Sequence, residues 1–191
     1  WFTMSTNGQE IRVIGFNNQK GLTKDINILC HQLATLDVSV SFLEIGEKIC
    51  ASTLQKTVGL TKALIQNRLP LQREKRINIF LERVVPEFLG DSQFNLLIPN
   101  PEWFHPAGRF LSGVIDVVLC KSYHAIDVYE SLGFRTRYLG FTSPDRKTEH
   151  SIHKKPGFLH VAGGSHFKGT AQLVEIWEQH PEWPLLLVVT H

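Results

Sequence analysis

Five polar segments, each trailing an apolar run, hold the side chains of this chain best suited to chemistry. Asn17-Asn18-Gln19-Lys20-Gly21-Leu22 follows Ile11–Phe16 and leads into a helical pattern. A helix start there offers free N–H groups and a partial positive charge to a phosphate or carboxylate, and Gly21 would let a ligand approach the backbone closely. The stretch, with Asn18 at its centre, reads equally as a plain strand-to-helix turn. Asn100-Pro101-Glu102-Trp103 ends a second run. Its prolines fix the backbone around Asn100 and Glu102, and a carboxylate so held can serve as a general base or bind a hydroxyl. Trp103 reads either as a stacking ring or as core. Lys121-Ser122 follows a third run, where Lys121 could meet a phosphate or simply be solvated. Gly140-Phe141-Thr142-Ser143 leaves a fourth. In the fifth, Gly163-Gly164-Ser165 can bend N–H groups toward a phosphate, and Lys168-Gly169-Thr170 adds a cation at the next helix start.

Apolar spacing predicts the elements that carry these segments. Strands are expected over 11–16, 38–43, 77–81, 94–98, 114–120, 136–139, 158–162 and 185–189. Leu22, Ile26, Leu29, Leu33 and Leu36 fall on one side of a helix over 22–36, with Thr23 as cap and Asp25 in the first turn. Further helices are expected over about 60–69, ended by Pro70; over 123–132, capped by Ser122 and closed by Gly133; and from about 170 to 179. Strands alternating with helices predict an α/β fold, a Rossmann-like parallel sheet with helices on both faces. Ligands bind such sheets at the carboxyl ends of the strands, where these segments fall. The charged, histidine- and proline-containing stretch 142–157 reads as a linker. A first domain over 1–141 and the truncated opening of a second Rossmann-like unit over 158–191 follow.

Composition narrows the function classes. Net charge is +2 over 191 residues, too even for a nucleic-acid binder as a whole. The basic side chains cluster between 54 and 83: Lys56, Lys62, Arg68, Arg73, Lys75, Arg76 and Arg83 face only Glu74 and Glu82. Such a window suits phosphate or anionic lipid. No apolar run is long enough to span a membrane, and the first residues lack a signal-peptide pattern. Met4, the only methionine, is a candidate start. Cys30, Cys50 and Cys120 read as reduced core or near-core thiols of a cytoplasmic protein. His150 and His153 lack companions at metal spacing, so no metal site is expected. The full patterns of a P-loop, a dinucleotide fold and a nucleophile elbow are all absent.

In this order the segments resemble a GT-B fold glycosyltransferase, most like the retaining family 4 group. The likeness rests on Gly21-Leu22, Ile98-Pro99-Asn100-Pro101-Glu102, Val118-Leu119-Cys120-Lys121-Ser122 and Leu139-Gly140-Phe141-Thr142-Ser143-Pro144-Asp145. Its most specific part is the restart Phe158-Leu159-His160-Val161-Ala162-Gly163-Gly164 with Lys168-Gly169. The resemblance implies an acceptor-binding domain followed by the start of a nucleotide-sugar domain. It implies donor or phosphate contacts at Gly21, Gly163, Gly164, Ser165 and Lys168. Glu102 would be catalytic, with Asn18, Asn100, Lys121 and Thr142 on the acceptor or cleft side. Gly164 stands where the family usually has arginine, and the family's Glu-x7-Glu motif would lie past His191. The expectation is a sugar transferase fragment, inactive or very weak alone, using a nucleotide-sugar as substrate and no cofactor. Its acceptor would be a glycan or a lipid-linked saccharide. Residues 54–76 would allow peripheral membrane contact by a basic amphipathic helix; the same residues also suit a solvated helix packed on the sheet. A rival from another class is a non-catalytic α/β binding module lacking the donor half.

Overall fold

The computed structural model describes residues 9–19, 21–46, 61, 64–65, 75–104, 106–143, 145, 156–162 and 168–190. The chain divides into two compact units, Trp1–Pro144 and Asp145–His191.

The first unit is α/β. Among the described residues its strands are β1 (Glu10–Gly15), β2 (Ser39–Glu44), β3 (Arg76–Leu81), β4 (Phe94–Ile98), β5 (Val117–Cys120) and β6 (Thr136–Tyr138), and its helices include α1 (Gly21–Ala34) and α2 (Tyr123–Ser131). The sheet order is β2-β1-β3-β4-β5-β6, and every pair is parallel. The chain leaves β1 toward β2 and returns to its other side as β3, so a topological switch point lies between β1 and β3.

Strand alternation divides the core into two layers. Ile11, Val13, Ile79, Leu81 and Ile98 pack with Leu22 and Ile26 of α1. Ile14, Phe80, Leu97, Val118 and Cys120 pack with Ala125 and Tyr129 of α2 on the other face. Parallel strands covered on both faces read as near-continuous apolar runs, which is why they were legible. α2 starts where expected: Ala125 N–H donates to Ser122 Oγ at 3.2 Å, and Gly133 closes the helix with φ +86°.

Two expectations are corrected. The run Val114–Cys120 is a strand only from Val117; Pro106–Gly113 is 3₁₀-helical, and the N–H groups of Val114 and Ile115 both bond back to Leu111 O. Val114 and Ile115 are buried as the end of that turn, and an apolar run alone cannot tell the two cases apart. Helix α1 begins at Gly21, so Thr23 lies inside it and Asp25 in its second turn. Thr23 Oγ1 instead donates to Asn17 Oδ1 at 2.6 Å, which also accepts from Gln19 N–H. Of the expected helix over 60–69, Thr61, Leu64 and Ile65 are helical and exposed; its other residues, and most of the basic window, lie outside the described residues.

The second unit is a βαβ motif: β7 (Phe158–Val161), α3 (Thr170–Glu178) and β8 (Leu186–Val189), with the strands parallel. Trp177 of α3 packs edge-on against Phe158 and Trp183, and its indole N–H donates to Pro184 O.

Candidate functional site

The carboxyl ends of the central strands of the first unit carry a hydrogen-bonded chain of four polar side chains. Lys121, immediately after β5, donates from Nζ to Asp25 Oδ2 of α1 at 2.8 Å and to Asn100 Oδ1 at 3.2 Å. Asn100, two residues after β4, turns its amide nitrogen to Glu82 Oε1. Glu82 follows β3 directly. The chain therefore runs from α1 across the ends of β5 and β4 to that of β3, beside the switch point. The Lys121–Asp25 pair is partly sheltered, with side chains 23% and 25% exposed. The ring of Phe141, beyond β6, lies 4.7 Å from the Lys121 ammonium and adds a cation–π contact.

Glu82 has an unusual backbone. Its φ is +61°, and Arg83 N–H bonds to Leu81 O at 2.7 Å across it. This is a γ-turn with positive φ at its centre, a rare and strained form. The Glu82 N–H still reaches Ile98 O at 2.9 Å, so the turn remains fastened to β4. Strain held by a non-glycine residue at a sheet's ligand edge is a pointer to function. Sequence reading missed Glu82 because Leu81-Glu82-Arg83 looks like the solvated end of a strand.

Of the expected site residues, Asn100 and Lys121 come together. Glu102 sits in the 3₁₀ turn Pro101–Trp103, exposed, and among the described residues makes no hydrogen bond to the chain. Gly21 opens α1 with free space where a side chain would project. Asn18 stands near Thr23, whose hydroxyl lies 3.5 Å from its Oδ1. Thr142 is exposed and donates to Ser143 O. In the second unit Lys168 donates from Nζ to Val161 O at the carboxyl end of β7, and Gly169 starts α3 at φ +66°. Gly163, Gly164 and Ser165 lie outside the described residues, as do His150, His153 and Cys50.

Burial argues against a nucleophile at either described cysteine, Cys30 or Cys120. Burial, reinforced by the nearby Glu130 carboxylate, pushes the Cys120 thiol up to about 11. The Cys30 thiol is also raised by burial. The Tyr129 phenol is raised by burial first and then by Cys120 and Glu102. At the opposite, amino edge of the sheet, Glu10 is bound by Arg76 at 2.7 Å and by Ser41, and Arg76 holds its carboxyl below the usual range. Among the described residues no three metal-binding side chains converge, and no helix is long and apolar enough to cross a membrane.

No protein-family model, curated protein or solved structure matches the chain.

Proposed function

We propose that the chain holds the acceptor-binding domain, and the opening βαβ of the donor domain, of a nucleotide-sugar-dependent glycosyltransferase. The observation that carries this reading is the Asp25–Lys121–Asn100–Glu82 chain at the carboxyl edge beside the switch point. In the reaction an acceptor hydroxyl attacks the anomeric carbon of the donor sugar. The bond from that carbon to the nucleotide diphosphate breaks, and the hydroxyl gives up its proton.

Glu82 is the carboxylate best fitted to orient that hydroxyl and take its proton. One of its oxygens is held by Asn100, and the other accepts no hydrogen bond among the described residues. Lys121 fixes the amide of Asn100 so that its nitrogen faces Glu82, and Asp25 holds Lys121. Glu102 supplies a second carboxylate at the same edge. Lys168, with N–H groups of Gly163, Gly164 and Ser165, would offset charge on the departing diphosphate. The basic residues between 54 and 76 would bring the domain to a lipid-linked acceptor.

Calorimetric titration with UDP-, GDP- and dTDP-sugars tests the reading, on this chain and on one extended past residue 191. Tighter binding by the longer chain supports a donor site divided between the two parts. Absence of binding by both refutes the reading in favour of a non-catalytic binding module.

A further inference from the structure

Two large aromatic rings are left in water on the α2 side of the same sheet edge. Tyr123, the first residue of α2, and Tyr138, the last of β6, stack at 4.6 Å between centroids with an interplanar angle of 4°. They remain 70% and 50% exposed. Tyr138 sits in register with Cys120, and Leu139 N–H bonds to Cys120 O at 2.8 Å. Tyr123 opens α2 directly after the Ser122 cap, whose Oγ accepts from Ala125 N–H. Gly140, at φ +63°, leaves room for the Tyr138 ring: a Cβ there would lie 3.3 Å from its Cε1. Each ring spends one face on the other, so a ligand would meet an outer face of the stack, of which Tyr123 is the more exposed member.

We propose that Tyr123 and Tyr138 form a stacking subsite for a saccharide ring. A pyranose offers an apolar C–H face and a rim of hydroxyls. A tyrosine offers an aromatic face and a phenolic O–H that can donate or accept at that rim. A nucleotide fits less well, because Lys121, two residues from Tyr123, is committed to Asp25 and Asn100 rather than free for a phosphate. The proposal rests on the transferase reading for its biological sense, since it makes the acceptor a glycan. The binding it predicts can be measured without a donor.

The chain has three tyrosines, and the third, Tyr129, is fully buried, so it serves as an internal control. The test is NMR of ring-¹³C-tyrosine protein titrated with maltohexaose, cellohexaose and chitohexaose, and separately with UMP. The expected result is a saturable shift of the Tyr123 and Tyr138 signals by at least one oligosaccharide, with Tyr129 unmoved. Tyr123→Ala should weaken that binding about fivefold or more, the weight of one aromatic contact, while Tyr123→Phe keeps most of it. Three results overturn the proposal: no oligosaccharide response up to about 10 mM, affinity unchanged in Tyr123→Ala, or a response to UMP alone. A silent saccharide titration beside nucleotide-sugar binding in the calorimetry would sink this subsite alone.

Discussion

Replacing Glu82 by glycine and by alanine separates backbone strain from side-chain chemistry. Both substitutions remove the carboxylate and its bond to Asn100, so that loss cancels when the two variants are compared. What remains is the backbone at φ +61°. An alanine held at positive φ costs about 1–2 kcal/mol, which glycine escapes. Glycine in turn loses about 0.5–1 kcal/mol through the greater freedom of its unfolded chain. E82G should therefore be more stable than E82A by about 0.5–1 kcal/mol, the reverse of the order in an ordinary strand. With a urea dependence near 2 kcal/mol per molar, the midpoints should differ by about 0.3–0.5 M. The assay is urea unfolding followed by circular dichroism, with the slopes compared to confirm that the unfolded states match. If E82A proves equal to E82G or more stable, the γ-turn is not strained, and the argument from strain to function at this residue fails.

Three further outcomes are expected. Lys121→Met leaves Asp25 and the Asn100 carbonyl without their shared donor and should cost about 1–2 kcal/mol; the double-mutant cycle with Asp25→Asn should show coupling of about 1 kcal/mol, and additive effects would break the proposed chain. Tyr129→Phe removes a buried hydroxyl that has no partner among the described residues, so it should be neutral or stabilise by up to about 1 kcal/mol; a clear loss in thermal unfolding would mean the hydroxyl is bonded. Because the Cys120 thiol is raised from 9.0 to about 11, its contribution to stability is complete below pH 9 and fades as pH rises toward 11. Alkylation at pH 8 read by mass spectrometry should accordingly mark Cys30 well before Cys120.

What could be read from the chain followed the physics of each element. Strands of a parallel sheet are rich in apolar residues, so β3 and β4 were visible despite Asn78 and Asn95, and β7 and β8 were visible as runs although they stay largely exposed. Ser122 and Gly133 bracket α2 because an N-cap hydroxyl and a left-handed closing glycine are local requirements. α1 begins at Gly21, one residue before the expected Leu22, and Thr23, which looks like a cap, lies inside it. Its hydroxyl is instead spent on Asn17, a contact across the loop that spacing does not reveal. Lys121 and Asn100 could be marked because each follows a core strand of a parallel sheet, whose carboxyl ends converge. Asp25 was noted only as a dipole partner, and its ion pair joins residues far apart in the chain. Glu82 was illegible for a different reason. Positive φ is signalled in sequence by glycine or asparagine, and a glutamate there follows from the strand pairing around it.

Asn78 and Asn95 bear on the site from the other end of the sheet. They are register partners in β3 and β4, fully buried in layers that are otherwise apolar. Asn78 donates to Phe88 O and Asn95 to Leu89 O, while Ser92 donates to Asn95 Oδ1. A slip of one residue between these strands would tear the amide of the strand that moves from its carbonyl and turn it to the opposite layer. The pair thus acts as a vernier lock on the axial alignment of β3 against β4. Glu82 lies four residues beyond one asparagine and Asn100 five beyond the other, roughly 13–17 Å along the strands. The alignment that lets a carboxylate meet an amide at one rim is set by two amides at the far rim. Substitutions at Asn78 or Asn95 should therefore disturb ligand binding without touching any ligand.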